Sequence, residues 1–337
     1  MNISEWRSYF LDRGIKEDLL GIYLSYIRKL NKFKVPVIFE LDHLSSLLGI
    51  NVKFLTRMIS SPEDFYRNFL IPKRSGGKRE ISAPHQSILY CQRWILVNIL
   101  THIPIHYSAH GFCAGKSIKS NAQIHLNSKS LLKMDLKDFF PSIPKSWIIN
   151  IFSDLGYAPN VSYYLASLCC YNDHLAQGAA TSPALSNIVL RGLDNRLQSL
   201  ADKCGLRYSR YADDLTFSGD KISVNFPELV EGIIHNYGLT VNKDKTRLKA
   251  KFGSRIVTGV SISGGSLSVP REYKRNLKNE IFFIRKFGIL SHVSKKKIKN
   301  PNYIYSLLGK LAFWSYIEPE NEYPIEAKKF LVELIKD

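Results

Sequence analysis

Apolar positions change their period several times along the chain, and these changes divide it. Leu41, Leu44, Leu47 and Leu48 recur at helical spacing, Gly49 interrupts, and Leu55, Met58 and Ile59 resume, so residues 1 to about 60 read as helices. A helix–Gly turn–helix outline is also that of a DNA-reading motif, but only Lys53 and Arg57 would charge its second helix. Two helices packed on a larger domain are therefore expected. Between 62 and 88 the basic turn Pro72-Lys73-Arg74-Ser75-Gly76-Gly77-Lys78-Arg79 leads into Glu80-Ile81-Ser82-Ala83-Pro84, a strand–turn–strand pattern. Residues 86–102 read as a helix whose buried stripe is Ile88, Leu89, Trp94, Ile95 and Ile99. Ser130–Phe140 opens as an apolar strand with Asp135 near its end. Leu206–Ser218 predicts two short strands with Asp213-Asp214 at their junction. A hairpin around Gly264-Gly265 then precedes helices that run to Asp337.

Composition adds a partner class. The 337 residues are 45% hydrophobic, enough for two or three modules with a sizeable core, and they carry a net charge of +18. A protein this basic is expected to meet a polyanion. Between Val241 and Lys299 there are 16 Lys and Arg against three acids, Asp244, Glu272 and Glu280. Lys245, Arg247, Lys249 and Lys251 alternate as along one strand face, and Arg271, Lys274, Arg275 and Lys278 share one helix face. Two basic faces in one stretch predict a groove for a phosphate backbone. Five cysteines without metal spacing, and an N-terminus without a signal peptide's apolar run, fit a reducing cytoplasm rather than secretion or a membrane.

The carboxylates carry the chemistry. Asp-Asp is poor hairpin chemistry, and adjacent like charges repel, so a local rule fails between well-formed strands. Asp135 lies 78 residues upstream at a strand end, and three such carboxylates can hold Mg²⁺, which takes few protein oxygens and completes its shell with water and substrate phosphate. Two ions about 3.5–4 Å apart suit in-line phosphoryl displacement. Asp138, three residues on, is expected in a helical or turn role.

Tyr211-Ala212-Asp213-Asp214 with upstream Asp135 resembles the paired acidic signature of reverse transcriptases, and Gln177-Gly178-Ala179-Ala180-Thr181-Ser182-Pro183-Ala184-Leu185-Ser186-Asn187 resembles the family motif between them. Ser182 then reads as an N-cap and Pro183 as the first helical residue. Ala180 departs from the proline that many relatives carry. The resemblance implies an α+β right-hand polymerase fold: a helical extension (1–60), fingers and palm with an antiparallel sheet (61–265), and a helical thumb or RNA-binding region (266–337). It implies Asp135, Asp213 and Asp214 as ligands of two Mg²⁺ ions bound with the dNTP, and Lys245 or Lys243 near the leaving pyrophosphate. Lys73 and Arg79 fall where the family contacts the triphosphate, Phe140 at its gate against the ribose 2′-hydroxyl, and Gln177 and Gly178 beside the nascent base pair.

Two further words narrow the resemblance. Asn121-Ala122-Gln123-Ile124-His125 is similar to the NAxxH word of retron reverse transcriptases, and Val257-Thr258-Gly259 to their VTG word. This likeness implies RNA contacts at Asn121, His125, Val257, Thr258 and Gly259, joined by Arg271, Lys274, Arg275 and Lys278. Tyr303, Tyr305 and Trp314 are further docking candidates, with a thumb core as the other role for Trp314. It also implies a structured noncoding RNA serving as template and 2′-hydroxyl primer, a branched RNA–DNA product (msDNA), an effector or toxin protein, and a place in anti-phage defence. The length after Gly259 suits a thumb, so a host ribonuclease H is expected to remove template RNA. The rival readings are a group II intron-like enzyme with a separate primer, a nucleic-acid binder with a vestigial site, and a helix-turn-helix regulator using 41–59.

Overall fold

A computed structural model describes residues 2–72, 76–250 and 253–336; Lys73 and Lys251 lie outside them. Helices α1 (Ile3–Leu11), α2 (Glu17–Lys32), α3 (Leu41–Leu48) and α4 (Val52–Ser60) come first, followed by strands β1 (Tyr66–Pro72) and β2 (Lys78–Pro84) and by α5 (Gln86–Asn98). The middle of the chain holds α6 (Ile118–Ile124), β3 (Ser130–Asp135), α7 (Lys145–Asp154), α8 (Pro159–Cys169), β4 (Cys170–Tyr171), β5 (His174–Leu175), α9 (Ser182–Val189) and α10 (Arg191–Lys203). After it come β6 (Arg207–Tyr211), β7 (Asp214–Gly219), α11 (Phe226–Asn236), β8 (Arg247–Ala250), β9 (Ile256–Val257) and β10 (Val260–Ser261). Helices α12 (Arg271–Phe287), α13 (Ile289–Lys295), α14 (Tyr303–Ile317) and α15 (Glu322–Lys336) end it. No helix among the described residues is long and apolar enough to cross a membrane.

The contacts divide the chain into two compact units, and the division does not run linearly along it. One unit is Met1–Phe112, Leu136–Leu197 and Glu231–Asn242; the other is Cys113–Asp135, Gln198–Val230 and Lys243–Asp337.

In the first unit, Asn2 and Glu5 form a reciprocal capping box that starts α1. Gly49 ends α3 at φ 65°, the left-handed cap that glycine adopts without strain. Leu44, Leu48, Leu55 and Met58 are buried, and Arg57 on α4 pairs with Asp64 at 2.8 Å, so both the apolar and one charged side of this helix pair are engaged within the unit. Strands β1 and β2 pair antiparallel from Tyr66↔Pro84 to Pro72↔Lys78. On α5 the buried stripe is Ile88, Cys91, Gln92, Ile95 and then Ile99; Leu89 and Trp94 are half-buried.

The second unit is built on a four-stranded antiparallel sheet in the order β6-β7-β3-β8. β3 and β7 are the inner strands, and of the six residues of β3 only Lys133 escapes burial. A second core gathers Val257, Val260 and Ile262 with Leu277, Ile281 and Ile284 of α12, Leu307, Leu311, Trp314 and Ile317 of α14, and Ala327 and Leu331 of α15. The α12 residues recur at i, i+4, i+7, the spacing that lays one helical stripe on a core. Trp314 is 1% exposed, so it belongs to this core and not to a docking surface.

Candidate active site

The geometry begins with two short strands. Tyr211 pairs with Asp214, so the hairpin loop is the two residues Ala212-Asp213, and Asp214 is the first residue of β7 rather than a turn residue as its sequence position suggests. A two-residue loop demands positive φ, and it falls on Ala212 at 56°, a conformation that costs an alanine about 1 kcal/mol. Arg210, fully buried, donates from Nη1 to the Ala212 carbonyl at 3.1 Å and so holds the strained turn. The other loop residue is Asp213.

Asp135 ends β3 and lies directly opposite Asp214 in the antiparallel ladder. Residues so paired place their Cβ atoms about 4.5–5.5 Å apart, well inside the separation that shared cation binding requires. The remaining edge brings a cation: β3 pairs with β8 through Lys133↔Arg247, and the same count continued two residues reaches Lys245 opposite Asp135. Its Nζ donates to both Asp135 carboxylate oxygens, at 2.8 and 2.9 Å. Lys245 itself sits in a single 3-10 turn before β8, and Lys251 lies outside the described residues, so the expected four-residue basic strand face reduces to Arg247 and Lys249.

The cluster concentrates negative charge in a largely buried place. Burial, and then the charges of Asp135 and Asp214, push the Asp213 carboxyl up to about 6. Burial also raises Asp214, assisted by Asp135 and opposed by Lys133. The hydrogen bond to Asp135 raises the Lys245 ammonium. No three such donors are closed around one point among the described residues. A magnesium ion does not ask for that, since one or two carboxylates plus substrate phosphates ordinarily suffice. The all-oxygen donor set, unfavourably charged without a cation, suits the chemistry of a hard divalent ion.

In the first unit the other predicted nucleotide contacts take these places. Arg79 is exposed on β2 opposite Ile71, and Lys73 lies outside the described residues. Half-buried Phe140 neighbours Phe112 and Phe139, with ring centroids 6.2 and 5.2 Å away. Asp138 is in a turn at φ 46°, its carbonyl accepting from Ser142 N. The Gln177 carbonyl accepts from Ser82 N at 3.0 Å, which fastens the motif loop to β2. The N-cap of α9 is Thr181; Ser182 is already helical and its hydroxyl donates to the Ala176 carbonyl, which corrects the reading of Ser182 as the cap.

Two residues of this loop show why their side chains matter. Ala180 N donates to Gln92 Oε1 at 3.1 Å, a bond that proline at this position could not make. Gln92 is fully buried and also donates to the Tyr66 hydroxyl and the Leu168 carbonyl. A polar residue inside the apolar stripe of α5 was the signal for it. Gly178 has φ 139°, and a Cβ there would lie 2.6 Å from the Ser82 carbonyl oxygen. Because the obstacle is backbone, Gly178→Ala should separate loop and strand, break the Ser82–Gln177 bond and cost about 2–4 kcal/mol. A denaturation midpoint equal to that of the parent protein would disprove this.

The two retron-like words meet in the second unit, but mostly in its interior. Asn121 and His125 are fully buried, and so is Val257. Ser128 Oγ donates to Ser218 Oγ (2.9 Å), which contacts His125 Nδ1 (2.7 Å); His125 Nε2 contacts Ser209 Oγ (2.7 Å), which donates to Asn121 Oδ1 (2.6 Å). Asn121 Nδ2 donates to Thr258 Oγ1 (3.3 Å), and Thr258 to the Ile118 carbonyl (3.2 Å). The Ile118 carbonyl can only accept, so with Asn121 and Ser209 oriented toward it His125 Nε2 donates to Ser209. Thr258 and Gly259, at φ 45° and 84°, form the turn between β9 and β10. Expected as RNA contacts, Asn121 and His125 instead brace the strands beside Asp213 and Asp214, and Val257 is part of the core packed against α12 and α14. Partly exposed Thr258 and exposed Gly259 face the surface.

On α12, Arg271, Arg275 and Lys278 are exposed, but Lys274 is committed to Glu318 at 2.6 Å. Glu318 also accepts from Val269 N, Trp314 Nε1 and Asn321 Nδ2. Lys278 Nζ stands 4.7 Å from the Tyr323 ring centroid. The predicted helix-wide phosphate face therefore loses Lys274, which holds α12 to α14.

Comparison with known proteins gives the family. Residues 71–279 match the family model described as reverse transcriptase (RNA-dependent DNA polymerase). The retron Mx65 reverse transcriptase of Myxococcus xanthus is 35% identical over 274 residues, 74% of this chain and 64% of its own length. The retron Ec86 reverse transcriptase of Escherichia coli is 34% identical over 277 residues, 80% of this chain and 86% of the relative. The retron Mx162 reverse transcriptase of Myxococcus xanthus is 34% identical over 284 residues, covering 72% and 59%. This chain thus spans less than two thirds of the two Myxococcus relatives. Among solved structures, a telomerase from Candida albicans in complex with a fragment of telomeric RNA shares 12% identity over 79% of this chain and 63% of its own, at a TM-score of 0.45, too loose a likeness to argue from. With its carboxylates set across neighbouring strands and its sequence matched over most of its length, this chain belongs to the reverse transcriptase family, in the company of the retron reverse transcriptases.

Proposed function

We propose that this protein is an RNA-directed DNA polymerase of retron type, which copies part of a structured noncoding RNA and primes from a 2′-hydroxyl within it. The observation that carries the reading is the pairing of Asp135 with Asp214 across the ladder, with Asp213 in the adjoining turn. The primer hydroxyl gives its proton to solvent and attacks the α-phosphorus of a dNTP; a new P–O bond forms as the Pα–O bond to the β-phosphate breaks, and pyrophosphate departs. Two Mg²⁺ ions, when bound with the dNTP, would supply charge stabilisation for the attacking and leaving oxygens. Within the chain, Asp135, Asp213 and Asp214 would hold them, and Lys245 would move from Asp135 toward the leaving phosphate and offer it a proton. Arg79 and Lys73 would bind the triphosphate, Phe140 would select deoxyribose, and Gln177 and Gly178 would bound the nascent pair. Residues 61–265 serve as fingers and palm and 266–337 as thumb.

RNA shape and unpaired loops supply template choice, because the narrow A-form major groove is closed to side chains. In this retron reading the product is a branched RNA–DNA molecule, a host ribonuclease H trims it, an effector protein is its partner, and the setting is anti-phage defence in the cytoplasm. Purified protein should carry nucleic acid in which DNA joins RNA through a 2′–5′ bond, so that debranching enzyme releases a DNA strand of shorter apparent length. Product insensitive to debranching, in a chain that extends added primers, would favour the group II intron-like reading.

A further inference from the structure

We infer that the corner between α12 and α13 is a pocket for one unpaired base of an RNA strand. The inference rests on the RNA-template reading above and names a place where that RNA is held. Gly288 breaks the helix at φ 78°, so α13 turns back beside the last turns of α12. There four aromatic rings adopt nearly one orientation. Phe283 and Phe287 lie 6.2 Å apart between centroids with planes 18° apart; Phe283 and His292, 6.5 Å and 22°; His292 and Tyr303, 5.8 Å and 20°. The inner end of this row is fixed, since buried His292 hydrogen bonds to the Tyr303 hydroxyl, which in turn donates to Glu280. The outer end is open: Phe283 is 39% and Phe287 53% exposed.

Both rings help line a cavity of about 320 Å³, together with Ser291, His292, Lys295 and Lys296. That volume is at the small end of ligand sites, about 300–1,000 Å³, and suits a single heteroaromatic group. Charge selects which one. From Arg285 to Lys299 there are six Lys and Arg and no acid. Lys286 Nζ stands 5.3 Å from the Phe287 centroid, Lys295 and Lys296 are part of the lining, and Ser291 adds a hydroxyl. Ring faces for a base and ammonium groups for its flanking phosphates are the two elements of single-strand recognition. RNA presents such bases in its loops, splayed from the helix. An apolar peptide would satisfy the rings but leave the lysines facing one another.

The test uses the full chain and a fluorescein-labelled unstructured RNA 12-mer, compared with the same strand carrying abasic sites, with an RNA duplex, and with a deoxyribose strand. Phe283→Leu and Phe287→Leu keep apolar volume at exposed positions, and their thermal melts verify folding. The double variant should bind the single-stranded RNA about 10-fold more weakly, while its affinity for duplex and for the abasic strand equals that of the parent. Unchanged affinity for the single strand, equal loss on duplex, or equal binding of the deoxyribose strand overturns the assignment. So does a concentration-dependent dimer of the parent that the double variant abolishes, which would give the face to a second copy. Incorporation of dTTP by the unaltered chain on poly(rA) primed with oligo(dT) reads the polymerase assignment separately.

Discussion

Asp213→Asn should lower dNTP incorporation by about 10³-fold or more, a loss of several kcal/mol of transition-state charge stabilisation, while RNA affinity stays near that of the parent. The same substitution should make the metal-free protein more stable at neutral pH. The Asp213 carboxyl is raised to about 6 from an unfolded value near 3.8 by burial and by its acidic neighbours. A raised carboxyl means that the fold disfavours the charged form. The penalty is therefore absent below the unfolded value, grows as pH rises between about 4 and 6, and is complete above 6. That rise corresponds to about 3 kcal/mol at most, and part of it is relieved by relaxation and by Lys245. Thermal melts in chelator should place the variant a few degrees above the parent at pH 7.5 and level with it at pH 4. Added Mg²⁺ should raise the parent and leave the variant nearly unmoved. A variant that polymerises at the parent's rate would remove the carboxylates from the chemistry altogether.

That trade of stability for chemistry explains which parts of the site could be read in the residues. Asp135 at the end of an apolar strand and Asp213-Asp214 between two aromatic-rich strands are local patterns, and a local failure of turn chemistry points at them. Which Asp stands in the turn is a matter of register, set by the pairing of Tyr211 with Asp214, and the letters alone do not give it. Burial of polar residues is harder still. His125 takes its meaning from Ser209 and Ser218, 84 and 93 residues away, so NAxxH looks like a set of ligands until those partners are in place. Lys274 likewise belongs to a regular basic face until Glu318, 44 residues on, claims it. Arg210 shows the same limit from the other side. In sequence it is one more charge on a basic protein, but folded it is fully buried under the hairpin turn.

His125→Ala should destabilise the protein by about 2–4 kcal/mol and also depress dNTP incorporation, with RNA affinity unchanged. The imidazole is the middle of a chain of hydrogen bonds between Ser128 and the Ile118 carbonyl, and in that chain it joins β6 at Ser209 to β7 at Ser218. Removing it leaves a cavity and two buried hydroxyls that each lose a partner, and both effects are costly in a dry interior. The strands it joins end at Tyr211 and Asp214, so loosening them shifts two of the three carboxylates against Asp135 on β3. Displacements of about 1 Å at such sites cost on the order of 10²-fold in rate. His125→Gln, which keeps a donor and an acceptor on a similar reach, should recover a good part of both losses. The contrary result is as informative: RNA affinity that falls while denaturation midpoint and incorporation on a generic primer–template hold would make His125 an RNA ligand after all. It would require α6 to open, because in this fold the ring has no exposed surface.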